Sequence, residues 1–421
     1  MLAAGMAGLL AVAGIAWTLT KDGAPDVGIT VPDGFVAQVF ADELGPGRHM
    51  AVRPNGDVYL RLLRSVDGAS VVALRDEDGD GAADRRTYFH DGAGGTGIAV
   101  HDDWLYLSSN AEIYRYRLDA EALVPSGPPQ LVVSGFPVFE RRLHVSKSFT
   151  IDPAGGLFVN VGAPSNACAF EDRAAGARAS DPCPLLERSA GLWRFAADET
   201  EQDFATDGER YATGIRNVVA IDTHPDTGEV FFVQHGRDIL GDLFPELYTA
   251  EDNARLPAEE LHVAVSGADY GWPYTYWDPQ QGRRIRAPEY GGDGERAAES
   301  GRYRDPLVAF PAHWAPNALL FFDHERFPKD FQGGAFVAFH GSWNREPFEQ
   351  QGYNVVFVPF AGDRPSGGWT VFADGFAGEG TIATDSDARY RPTALAQTPD
   401  GALLIGDSVE GRIWRVGPKG D

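Results

Sequence analysis

Apolar and polar residues alternate with period two in short stretches along most of the chain. Each stretch is led by a turn of Gly, Asp, Asn or Pro. PNGDVYLRL (54–62), HDDWLYLSS (101–109) and PAGGLFVNVG (153–162) are the first three. DTGEVFFVQHG (226–236), QGGAFVAFHGS (332–342) and PDGALLIGDS (399–408) complete a set of six. A second kind of strand follows several of them: EIYRYRL (112–118), GLWRFAAD (191–198), YNVVFVPF (353–360) and GRIWRV (411–416). Alternation rich in β-branched and aromatic residues predicts half-buried strands. A single small sheet cannot bury its own face, and stacking such units around an axis solves this. The expected fold is therefore all-β, a six-bladed β-propeller over residues 26–421. A β-sandwich or a two-domain chain is the alternative, but no Gly/Ser linker or composition shift marks a boundary. The long interval between 236 and 332 is expected to hold an irregular insertion, and loops of that length are usually functional.

Composition adds three points. The chain of 421 residues is 43% hydrophobic with 50 Gly and 28 Pro, as many turns require. Its net charge is −25, which repels nucleic acid and anionic membranes. Residues 2–17 (LAAGMAGLLAVAGIAW) are apolar and uncharged, so 1–25 reads as a signal peptide or an uncleaved membrane anchor. That places the protein in the periplasm or outside the cell. The only two cysteines, Cys168 and Cys183, form a disulfide there or remain free thiols.

Polar residues stand at equivalent places in several repeats. His144 precedes the third repeat and Arg216 with Asn217 the fourth. Trp343, Asn344 and Arg345 follow the fifth, and Arg389 with Arg391 precede the sixth. Several guanidinium groups around one axis suit an anion bidentately. His144 is then the group near neutral pKa, and the natural general base. RDEDGDGAAD (75–84) is a separate candidate: Asp76, Asp78, Asp80 and Asp84 resemble the first half of an EF-hand loop, without Glu at the twelfth position. It is a Ca²⁺ site or a solvated acidic turn.

Taken together, the His144 block, GIRN (214–217), HPDTGEVFFVQHG, ADYGWP (268–273), HGSWNR (340–345) and RYR before a PDG turn resemble the quinone-dependent glucose/sorbosone dehydrogenase family. The resemblance covers roughly residues 30–418. It implies pyrroloquinoline quinone (PQQ), a tricarboxylate ortho-quinone, held with Ca²⁺ among basic side chains. It implies oxidation of an aldose or aldosulose at C1, with His144 taking the hydroxyl proton, hydride passing to the quinone and Arg216 stabilising the reduced carbonyl. Asn166, Asn217, Arg345, Arg389 and Arg391 would bind the cofactor. The backbone carbonyls of Gly236 and Arg237 would ligate its Ca²⁺. Glu260, the Tyr270 carbonyl and Asp278 would form a second calcium site. The first-blade contact of that family has no counterpart here, and Arg48 or His49 stands in its place. Leu143 also stands where some relatives have an acidic residue. No Cys-x-x-Cys-His is present, so electrons leave to a separate acceptor, a cytochrome or a quinone. A non-catalytic propeller binding module and a calcium-dependent lactonase-type hydrolase are the competing readings.

Overall fold

The six repeated stretches fold as the second strand of six successive antiparallel sheets: Val58–Val66, Trp104–Ser108, Gly156–Val161, Val230–Gln234, Gly334–His340 and Leu403–Asp407. The structure, a computed structural model, describes residues 27–420 apart from 93, 141 and 142. The leader expected over 1–25 lies outside the described residues. The second strand type becomes the third strand of its sheet, as in Ile113–Arg117, Gly191–Ala196, Tyr353–Ala361 and Ile413–Pro418. The innermost strands are Gly47–Val52, Ile98–His101, Phe149–Ile151, Val218–Thr223, Pro316–Phe322 and Pro392–Gln397. Each touches the next around a closed ring. The molecule is a six-bladed β-propeller.

Closure comes from the N-terminal side. Phe35–Ala41 pairs antiparallel with Ile413–Pro418 as the outermost strand of blade six. Each blade is covered on both faces, so second strands such as Gly156–Val161, Val230–Gln234 and Leu403–Asp407 are buried throughout, where the alternation predicted half-buried ones. In the second strand of blade one, Leu60 and Leu62 pack against Ala394 and Leu404 of blade six. Tyr59, pointing the other way, packs against Leu105 and Leu107 of blade two. Each such buried Leu contributes about 1.5–3 kcal/mol.

Two excursions leave this frame on the same side. The 236–332 interval holds two short helices, Leu240–Leu243 and Ala250–Arg255, and a hairpin, Thr275–Asp278 with Arg283–Arg286. Thr249 and Asp252 form a capping box for the second helix. The insertion has its own core of Leu240, Phe244, Tyr248, Tyr276 and Ile285. The other excursion, after Gly156–Val161, is closed by a Cys168–Cys183 disulfide packed on Trp272. Below the mouth, the axial shaft is a cavity of ≈ 300 Å³ running from His49 to Asp222.

Candidate functional site

Antiparallel pairing puts the start of every inner strand and the end of every second strand at one mouth of the shaft. Arg48, His49, His144, Arg216, Asn217, His235, Gly236, His340 and Arg391 all fall at such positions. The repeat therefore gathers them because each blade delivers two chain ends to the same place.

His144 sits in left-handed backbone, φ 51°, beyond the fourth strand of blade two. Its Nδ1 lies 2.7 Å from the Ala163 carbonyl, which assigns the proton to Nδ1 and leaves Nε2 as the bare lone pair. Gly162 makes room for it: a Cβ there would lie 2.6 Å from His144 Cβ and 2.7 Å from Asn217 Oδ1. Burial first, and then the Arg216 cation, push the imidazole down to about 3. The expectation of a single base near neutral pKa is thus corrected: His144 is firmly neutral, and it has company. His49 and His235 are each held near about 4, chiefly by burial. His340 lies well below its usual value, through burial and the nearby Arg391 and Arg48. His49 Nε2 is 2.8 Å from the Asn317 carbonyl, and His340 Nε2 is 2.7 Å from Ser408 Oγ. His235 Nδ1 is buried with no hydrogen-bond partner among the described residues. Sequence reasoning passed over His235 and His340, although both stand in a His-Gly step ending the repeated strand.

Arg216 is almost fully buried and held on four sides. Its guanidinium donates to the Asn166 carbonyl (3.3 Å), Asn166 Oδ1 (3.1 Å), the Gly236 carbonyl (2.9 Å) and Asp238 Oδ2 (2.7 Å). Asp238 is a residue of this site that the sequence did not reveal. Its Oδ2 also accepts from Arg173 Nη2 at 2.5 Å, and its Oδ1 from Asn344 Nδ2 at 3.2 Å. The two guanidinium groups hold this carboxyl far below the usual range against the cost of burial. Asn166 acts on Arg216 and Asp238, whose backbone it binds at both N–H and carbonyl. Asn217 Oδ1 accepts from Asn160 Nδ2 at 3.1 Å, beneath His144. The signal for Asp238 was its place two residues after Gly236.

The other basic residues divide. Arg48 reaches from blade one to Thr96 Oγ1 of blade two (3.1 Å) and pairs with no carboxylate among the described residues. Burial lowers it to about 10. Arg391 lies at the mouth but is committed to the His340 and Gly341 carbonyls and to Asp385. Two expectations are corrected. Arg345 donates to the Glu349 and Ala254 carbonyls and lines a cavity on the flank, because Asn344 is the residue of that loop turned to Asp238. Arg389 is exposed and lies over the Tyr390 ring, beside Gly28 near the third strand of blade six.

The metal expectations change more. Glu260 is buried and bonded to Arg284 Nη2 and to His262 Nε2 (3.0 Å), so a guanidinium stands where the second calcium was expected. Asp278 caps its own turn, accepting from the Gln280 and Gln281 amides (2.8 and 3.0 Å). The carboxylates of Glu260 and Asp278 are therefore taken up by separate protein partners rather than turned to one cation. The Arg237 side chain turns away from the axis into a buried pair with Glu289, 2.6 Å. Gly236 offers a carbonyl that already accepts from Arg216. Ca²⁺ takes six to eight oxygens, and Gly236 with Arg237 is far from such a cage. In the acidic turn, carboxylate oxygens of Asp76, Asp78 and Asp84 come within 4.8 Å of one another. Asp80 is not in that group and accepts from the Ala82 amide.

Known proteins share this fold. The pyrroloquinoline quinone-dependent pyranose dehydrogenase of Coprinopsis cinerea is 26% identical over 369 residues, covering 76% of this chain and 46% of that protein. A Borreliella burgdorferi protein of unassigned role is 28% identical over 210 residues, covering 49% and 48%. The chain thus spans about half the length of the curated relatives it matches. The holo PQQ domain of the Coprinopsis cinerea pyranose dehydrogenase superposes with TM-score 0.72 at 18% identity, covering 93% of this chain and 98% of that one. At that identity the likeness establishes the fold. Residues 29–419 match the TrAA12-like family, and the chain belongs to it.

Proposed function

We propose that this protein is a quinone-dependent oxidoreductase that oxidises a sugar, an aldose or aldosulose in its pyranose form, at C1. One observation carries the reading. In a chain of net charge −25, one channel mouth collects Arg48, Arg216 and Arg391 with four neutral imidazoles. Of its carboxylates, Asp238 is neutralised by Arg173 and Arg216, and Asp385 is paired with Arg391. Such a site favours an organic polyanion. The residues fit PQQ: among the described residues Arg48 has no carboxylate partner, and His235 Nδ1 and Asn344 Oδ1 are buried polar atoms without hydrogen-bond partners. Arg48, His235 and Asn344 would hold the cofactor, with the Arg391 cation beside them. When bound, the quinone supplies the two-electron acceptor, and most of the organic chemistry is its own.

The chain's residues do the rest. His144 Nε2 accepts the proton of the C1 hydroxyl, and Ala163 fixes the tautomer that leaves Nε2 free. Positioned base catalysis of this kind is typically worth about 10²–10⁴-fold. Arg216 provides a fixed cation beside the base, locked by Asn166 and Asp238 so that it need not reorganise. A calcium lactonase would need a cation ringed by acidic and amide side chains, whereas this mouth is basic. The Cys168–Cys183 bridge supports a periplasmic or extracellular setting, with electrons passing to a separate acceptor.

The test is dye-coupled oxidation of an aldose panel by PQQ-loaded protein. Turnover on at least one aldose, cut about 10²-fold or more in His144→Gln, is expected. No turnover on any aldose, or full turnover in His144→Gln, would overturn the reading.

A further inference from the structure

Away from the axis, a second cavity opens on the flank between blades four and five. It measures ≈ 620 Å³, and its polar and aromatic lining comes from Trp369, Arg255, Arg345, Gln280 and Gln351, with Pro311 alongside. No described Asp or Glu lines it, although acidic residues outnumber basic ones 61 to 36 in the chain.

Arg345 and Trp369 are fixed before any ligand arrives. Arg345 is 8% exposed. Its Nε and Nη1 are tied to the Glu349 and Ala254 carbonyls, which sets the guanidinium plane. Nη2 makes no bond to the described residues. Trp369 is half-buried and packs on Trp314 and Phe310, with ring centroids at 5.3 and 6.1 Å. Among the described residues Arg255 pairs only with Glu251 one helical turn away, both of them largely exposed, and such a pair holds weakly. A fixed indole offers a flat apolar face with little entropy to lose. Guanidinium forks select carboxylates, and two amide side chains supply donors and acceptors for hydroxyls. A cavity with a few convergent polar groups on an apolar wall is the form small-molecule sites take.

We propose that this flank cavity binds a sugar acid: a pyranose ring stacked on Trp369 with its carboxylate on Arg345 and Arg255. Free sugar acids and uronate units of a polysaccharide share this chemistry. The site is separate from the axial mouth and does not depend on the proposed dehydrogenase activity.

The experiment is calorimetry on quinone-free protein with sodium D-glucuronate, D-glucose and trigalacturonate. Glucuronate is expected to bind, and glucose about tenfold or more weakly, from loss of one charged hydrogen bond. Arg255→Gln, at an exposed position, should weaken glucuronate about tenfold. Trp369→Ala should weaken it as well, and His144→Gln should leave it unchanged. Tighter binding of trigalacturonate would identify a polymer as the source, and equal binding a free acid. No saturable binding, no preference over glucose, or no effect of Arg255→Gln overturns the proposal. So does a loss of binding in His144→Gln. Because no quinone is present, failure here leaves the axial reading untouched.

Discussion

Replacing Asp238 by Asn should cost the quinone-free protein about 3 kcal/mol of stability, because it removes the one negative charge between two guanidinium groups. Asn keeps the volume and one acceptor. Arg216 keeps its bonds to Asn166 and Gly236, and Arg173, about a quarter exposed, relaxes into solvent. Arg216 is 3% exposed and cannot do the same. The loss is therefore that of a charged hydrogen bond, about 1.5–3 kcal/mol, plus part of the cost of a buried cation left uncompensated. Urea unfolding followed by tryptophan fluorescence measures it. A double-mutant cycle with Arg173→Gln should return a coupling of about 1–2 kcal/mol. The sign with pH is also fixed. The folded carboxyl titrates far below its unfolded value, so its stabilisation is complete above about pH 4 and is lost as pH falls further. That acid-side loss should be smaller in Asp238→Asn. A cost below about 1 kcal/mol with no coupling would refute the view that Asp238 anchors Arg216.

Further outcomes follow from particular contacts. Gly162→Ala would push a methyl to 2.6 Å from His144 Cβ, and a displaced base should lower turnover of the quinone-loaded enzyme about 10²-fold; unchanged turnover would separate His144 from catalysis. Cys168→Ser with Cys183→Ser opens a loop of sequence separation 15 and should cost about 2–4 kcal/mol in denaturant unfolding. His49 titrates near about 4 in the fold and near 6.5 unfolded, so protonation favours the unfolded chain as pH falls between those values. Between pH 7 and pH 5, wild type should therefore lose about 1–2 kcal/mol relative to His49→Gln, after allowance for partial exposure; a constant difference would contradict it.

The fold was legible because the six repeated stretches are one structural unit, the second strand, buried on both faces in every blade. The insertion was visible only as an interval, since its short helices and hairpin follow no repeat. At the site, His144, Arg216 and Asn217 were found because each precedes an inner strand, where the chain enters the mouth. Asp238 and Arg173 were not, because they belong to long excursions whose return to the axis is set by tertiary packing on the disulfide loop and the insertion. Arg345 misled for a related reason. In an irregular loop neighbouring residues diverge, and Asn344 took the inward position. Glu260 misled because its partner Arg284 lies on a hairpin with no counterpart in the repeat.

The central claim is that the basic mouth holds a redox quinone that a sugar can reduce. Anaerobic absorbance titration of the quinone-free protein with pyrroloquinoline quinone, with and without Ca²⁺, followed by addition of an aldose, tests it most directly. The account predicts saturable binding at one equivalent, weakened in Arg48→Gln, and conversion of the oxidised spectrum to the reduced one by sugar in wild type but not in His144→Gln. No saturable binding, or a bound quinone that no aldose reduces, would contradict it.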